Sequence, residues 1–207
     1  MILLTIILLA NTDSLVRHYL EVGEIDKAQK MCSKHGCDTF LMGEIAYFNH
    51  KFEEAVEFYS KVSPYSKDAN DAIARLIIIN ANTEKEVQDY ATAELLGRQG
   101  KITDGVRILR KLQSDSLNVT AIAPWATILL VELFKKDGKP RDALEECQIF
   151  IKRFEEHEKL PQVKLTMGKI YASMGKKKEA SQVYKEILLK HSNSSVAPIA
   201  REELENL

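Results

Sequence analysis

Met167-Gly168-Lys169-Ile170-Tyr171-Ala172-Ser173-Met174-Gly175-Lys176-Lys177-Lys178-Glu179-Ala180-Ser181-Gln182-Val183-Tyr184-Lys185-Glu186-Ile187 is the stretch that decides the fold. Counting from Gly175, a small residue stands at +5 (Ala180), an aromatic at +9 (Tyr184) and an aliphatic at +12 (Ile187). Those offsets fall on one stripe of a helix, and a glycine is the residue that most readily ends the helix before it. The stretch therefore reads as a helical hairpin, with the small residue letting its two helices approach closely.

The same pattern recurs upstream. Gly138, Ala143, Cys147 and Phe150 repeat it, as do Gly100, Gly105, Leu109 and Leu112, and His50, Ala55, Tyr59 and Val62. Gly23, Ala28 and Cys32 give a fifth, shorter copy. About five stacked hairpins make a solenoid, an all-α architecture that offers surface for binding. Periodicity and breakers place helices over 13–22, 25–35, 38–48, 51–62, 67–81, 84–98, 102–114, 119–136, 140–156, 161–174, 177–190 and 195–206. The helix over 67–81 is additional to the hairpins, and its Ala72, Leu76 and Ile79 make an apolar stripe. No Gly/Ser-rich or Pro-rich linker interrupts the chain, so residues 11–207 are expected to form one solenoid domain.

With 45% hydrophobic and 29% charged residues and a formal charge of -1, the 207-residue chain has the composition of a folded soluble protein and no global field. Nucleic acid is not an expected partner. Residues 1–10 are almost wholly apolar, too few to span a bilayer as a helix, and read either as a signal peptide or as a packed apolar N-terminal segment. Export to the periplasm or beyond the cell is the favoured expectation, with a cytoplasmic protein as the alternative. Cys32 and Cys37 lie close enough to suggest a disulfide or a metal site. The preferred reading is packing, because Cys32 occupies the +9 place of a hairpin and the neighbourhood supplies no further ligands. Cys147 holds the same place and is expected to be a small buried hydrophobe.

No phosphate loop, dinucleotide fingerprint, nucleophile elbow or paired metal-binding histidines occur, and no cofactor or catalytic residue is expected. Trp125, the single tryptophan, follows Pro124 at the start of a long helix and stands either in the groove or under the neighbouring repeat, with burial between repeats the preferred reading.

Met167-Gly168-x-x-Tyr171 followed by Ala180-x-x-x-Tyr184, and Met42-Gly43 followed by Ala55-x-x-x-Tyr59, resemble the tetratricopeptide repeat (TPR) family. The copies around Gly105 and Ala143 keep the second-helix pattern and carry Ala93 and Val131 where the first helix would have glycine. The chain is also similar, more loosely, to envelope TPR proteins of bacteria, of the TolA-binding cell-division coordinator and outer-membrane assembly lipoprotein types. The resemblance implies a right-handed α–α superhelix that acts as a protein–protein interaction scaffold without catalysis. A structural or assembly subunit working through self-association or terminal-helix docking is the alternative.

In that family the first helix of each repeat lines a groove. Counting from Gly36, Glu86, Pro124 and Pro161, the implied groove residues are Phe40, Tyr90, Ile128 and Leu165 in one row and Glu44, Glu94, Glu132 and Lys169 in a second. Such a groove would suit a peptide or protein with apolar anchors and a basic flank. Three glutamates would repel the C-terminal carboxylates that some TPR domains clamp.

Overall fold

The protein, seen in a computed structural model, is described over residues 2–114 and 121–207, with side chains described from residue 12 onward. Whether residues 1–10 pack or are removed therefore lies outside the described side chains. Among the described residues there are twelve α-helices: α1 (Ile2–Glu21), α2 (Ile25–His35), α3 (Thr39–Phe48), α4 (Phe52–Ser60), α5 (Ala69–Ala81), α6 (Glu84–Arg98), α7 (Ile102–Ser114), α8 (Ile122–Lys136), α9 (Pro140–Arg153), α10 (Leu160–Ser173), α11 (Lys177–Lys190) and α12 (Ala197–Glu205). Each lies where periodicity placed a helix, to within a few residues, except that α1 begins far earlier than residue 13. None of them is long and apolar enough to cross a membrane.

Local chemistry explains most boundaries. Thr83 opens α6 with a capping box: its side chain accepts from Glu86 N–H while the Glu86 carboxylate accepts from Thr83 N–H. Prolines sit in the first turns of α9, α10 and α12, where a missing N–H costs nothing. The turn at Gly175 has φ +73, a left-handed conformation that glycine adopts without penalty. His50 takes that place between α3 and α4 with φ 58. Its ring nitrogens lie 3.5 Å from Gln88 Nε2 and 3.3 Å from Thr92 Oγ1 of α6, contacts that hold a conformation otherwise unfavourable for a side-chain-bearing residue.

The chain divides into two compact units, Met1–Ile122 and Ala123–Leu207. Within the first, the hairpins α1/α2, α3/α4 and α6/α7 each pack internally, and α3 also touches α1 and α6, so the first helices of successive hairpins are neighbours. The additional helix α5 lies against α4 and α6. Its buried residues are Ala72 and Ile78, and of the expected apolar stripe Ala72 is buried while Leu76 and Ile79 are partly buried. Within the second unit α10 packs on α9 and α11, and α12 closes over α11, where Leu204 and Leu207 cover a core of Leu165, Ala180, Tyr184 and Ile187. In both units helices pack on their sequence neighbours, as in a TPR-like helical solenoid.

One steric relation governs the hairpins. A Cβ on Gly43 would lie 2.6 Å from Tyr59 Cε1, and one on Gly168 would overlap the ring of Tyr184. The tyrosine of the second helix thus rests directly on the backbone of the first. The same spacing of sixteen residues separates Ala93 from Leu109 and Val131 from Cys147, all four buried. The residues at that spacing are glycine with tyrosine in two hairpins, alanine with leucine in a third and valine with cysteine in a fourth.

The reading of Cys32 as a packed thiol is corrected, because Cys32 and Cys37 form a disulfide. Helix α2 ends at His35, Gly36 (φ +76) redirects the chain, and Cys37 returns to a Cα–Cα distance of 5.0 Å, within the range a disulfide spans. Cys147 is the buried free thiol expected, and burial pushes its pKa up to about 12.

Candidate partner-binding site

The residues read as groove positions divide between the two units and meet different surroundings. In the first unit, Phe40 on α3 and Tyr90 on α6 are each only 6% exposed. The Phe40 ring centroid lies 5.9 Å from that of Tyr59, inside the α3/α4 hairpin.

Glu44, on the same helix, is 4% exposed and fully engaged. The Tyr59 hydroxyl donates to its Oε1 at 2.7 Å, and Arg75 of α5 donates from Nε to Oε1 at 2.7 Å and from Nη2 to Oε2 at 3.1 Å. Glu94 of α6 takes the other edge of the same guanidinium, at 2.7 Å from Nη1 and 2.8 Å from Nη2. Arg98 completes the set, donating to Glu94 at 2.7 Å, to Glu44 at 3.4 Å and to the Leu20 carbonyl at 2.9 Å. Aromatic faces cover both cations: Arg75 lies 4.2 Å from the Tyr47 centroid and Arg98 lies 4.5 Å from that of Phe48.

Two carboxylates and two guanidiniums sum to zero. Burial by itself would raise the Glu94 carboxyl, but Arg75 and Arg98 outweigh it and hold the pKa at about 2. Burial likewise drives the Tyr47 and Tyr90 hydroxyls upward, so neither ionises in ordinary solution. The acidic row is therefore internally neutralised at residues 44 and 94. Arg75 was not singled out in the sequence because it lies 31 residues from Glu44 and 19 from Glu94, on a helix outside the hairpin pattern.

In the second unit two of the implied groove residues come together on an open surface. Ile128 and Glu132 of α8, with Trp125 and Val131, form one wall of a cleft of about 240 Å³. Lys159, Gln162, Val163 and Thr166, at the start of α10 and along it, form the other. Trp125 is 8% exposed, buried as expected, yet its remaining edge belongs to the cleft. It stands edge-on to His157 at 5.8 Å, and Lys159 Nζ lies 5.6 Å from its ring centroid. Burial pulls the His157 imidazole below its ordinary pKa. Glu132 is exposed at the rim and pairs with Lys135 at 2.8 Å.

Leu165 and Lys169 do not join this cleft. Leu165 turns into the α10–α11–α12 core, and Lys169 forms an ion pair with Glu203 of α12 at 3.0 Å. The face that α10 presents to the cleft carries Gln162, Val163 and Thr166, one step away from the counting that selected Leu165. Among the described residues no group of three or more His, Cys, Asp or Glu side chains is placed to hold a metal ion.

Residues 162–194, comprising most of α10, all of α11 and the loop beyond, match the family model described as tetratricopeptide repeat. The chain carries a tetratricopeptide repeat. The match contains the Gly168–Tyr184 contact, the close approach that gives the TPR hairpin its shape. TPR segments generally mediate protein–protein interaction and are typically non-catalytic. Among curated proteins, none matches the chain.

Proposed function

We propose that this protein is an interaction scaffold that holds an extended or helical peptide segment of a partner protein in the cleft between α8 and α10, without catalysis. The observation that carries the reading is the cleft itself. Trp125, Ile128, Val131 and Val163 supply its apolar lining, and Glu132, Lys159, Gln162 and Thr166 its polar groups. A partial tryptophan surface beside aliphatic side chains is the composition of a binding hot spot. The partner's matching chemistry is one or two apolar anchors, with a Lys or Arg flank beside the exposed carboxylate of Glu132. Glu44 and Glu94 contribute nothing to that selection, since they are largely buried against Arg75 and Arg98, whereas Glu132 and its neighbour Lys135 are both exposed.

The Cys32–Cys37 disulfide supports a working place in an oxidising compartment, in keeping with an exported, envelope-associated scaffold.

Selection of displayed random peptides on the immobilised full chain tests the proposal. The recovered peptides should share an apolar anchor flanked by a basic residue, and Ile128→Asp should weaken them by at least about 10-fold while the melting temperature holds. Glu132→Lys should weaken them less and shift the preference away from basic flanks. Undiminished binding to Ile128→Asp would place the site elsewhere.

A further inference from the structure

The helix outside the hairpin pattern, α5, presents an outer face that its own unit leaves uncovered. Ile73 is 54% exposed and Ile77 is 39% exposed, with Asn70 and Asn80 exposed beyond them and Ala74 and Leu76 partly so. At about 100° per residue these six positions fall on one continuous arc of the helix, and none of them is charged. The charged residue at the centre of the helix, Arg75, points inward, where Glu44 and Glu94 hold it. A solvent-facing helical arc without charge is unusual, because surface helices normally carry charged residues on the face turned to water.

The order of residues on this arc says what would cover it. About Arg75 the arc is nearly palindromic: Asn70 mirrors Asn80, Ile73 mirrors Ile77, and Ala74 mirrors Leu76. When two identical helices pair antiparallel across a two-fold axis at residue 75, each residue meets its mirror position in the other copy. Isoleucine would then meet isoleucine, and the small alanine would meet the larger leucine. At both ends asparagine would meet asparagine, whose amides each donate and accept. A charged partner finds no counter-charge here, whereas the same face of a second copy is complementary in size, polarity and charge.

We propose that the chain forms a homodimer through antiparallel pairing of α5 with α5 of a second copy. The pairing uses one helix from each side, so the dimer dissociates on dilution as small interfaces do.

Sedimentation of the full chain over a dilution series tests this, with two variants that bear the same number of new charges. The wild type should move from the mass of two chains to that of one as it is diluted. Ile73→Glu with Ile77→Glu sets like charges opposite one another and should weaken the dimer by at least about 100-fold. Ile73→Lys with Ile77→Glu sets each new lysine opposite a partner glutamate and should recover most of that loss, an outcome peculiar to the antiparallel register. A single-chain mass at every concentration, or equal effects of the two variants, overturns the proposal.

Oxidative cross-linking provides a second measurement that leaves the isoleucines in place. A mixture of Asn70→Cys and Asn80→Cys chains should cross-link only between unlike chains. Failure to cross-link, or cross-linking of either variant alone, would also overturn it.

Discussion

Residues 44 and 94 in the first unit and residue 132 in the second hold the same place in the repeat pattern, and all three are glutamates. Two of them are sealed under arginines and aromatic rings, while the third stands in water at the rim of an apolar cleft. The difference comes from α5. By entering between the α3/α4 and α6/α7 hairpins, it delivers Arg75 to the interior and turns two groove positions into a neutral buried cluster. No such helix is inserted in the second unit, and its surface there stays open. A repeat position thus confers a location, and neighbouring elements decide whether that location binds or braces.

The largest expected break in this contrast is Arg75→Met, which leaves Glu44 and Glu94 buried with only Arg98 between them. It should cost about 3 to 5 kcal/mol in urea denaturation followed by circular dichroism. An unchanged midpoint would mean the cluster does not stabilise the first unit. Acid should act through the same cluster. The Glu94 pKa is lowered from 4.5 to about 2 in the folded protein, so its contribution is complete above pH 4.5 and is lost as pH falls toward 2. The loss should amount to something on the order of 3 kcal/mol, and Glu94→Gln should flatten the acid limb of the stability profile. Smaller again is the effect expected at the α10/α11 hairpin of the second unit, where the change is steric and not electrostatic. Gly168→Ala pushes a methyl group into the Tyr184 ring and should cost about 1 to 3 kcal/mol. Adding Tyr184→Leu, which copies the Ala93–Leu109 combination, should return at least half of that loss. Strict additivity of the two changes would show that the sizes are not coupled.

The helices were legible because their signals are local. Gly23, Gly100, Gly138 and Gly175 mark turns directly, and the +5, +9 and +12 positions are set by helical geometry within a single element. The cleft was half legible: counting along α8 reaches Ile128 and Glu132, whereas for Trp125 the sequence leaves groove and repeat interface both open, and the ring is buried yet part of the cleft lining. On α10 the counted residues lie elsewhere: Leu165 belongs to the core with α11 and α12 and Lys169 pairs with Glu203, while Gln162, Val163 and Thr166 line the cleft. The charged cluster could not be read, since joining Arg75 and Arg98 to Glu44 requires knowing which helices become neighbours across 31 and 54 residues. The disulfide is hidden in the sequence for a different reason. Steric pattern favoured a packed Cys32, but α2 ends a few residues later and leaves that side chain partly exposed, within reach of Cys37.

The steric fit between the two helices of a hairpin limits how this chain could be recombined. Tyr184 fits only over the bare backbone of Gly168, and Tyr59 only over that of Gly43. A second helix grafted from one hairpin onto the first helix of another would meet either a collision or a void. Whole hairpins, and not single helices, are therefore the modules that duplication could multiply and that an engineer could shuffle.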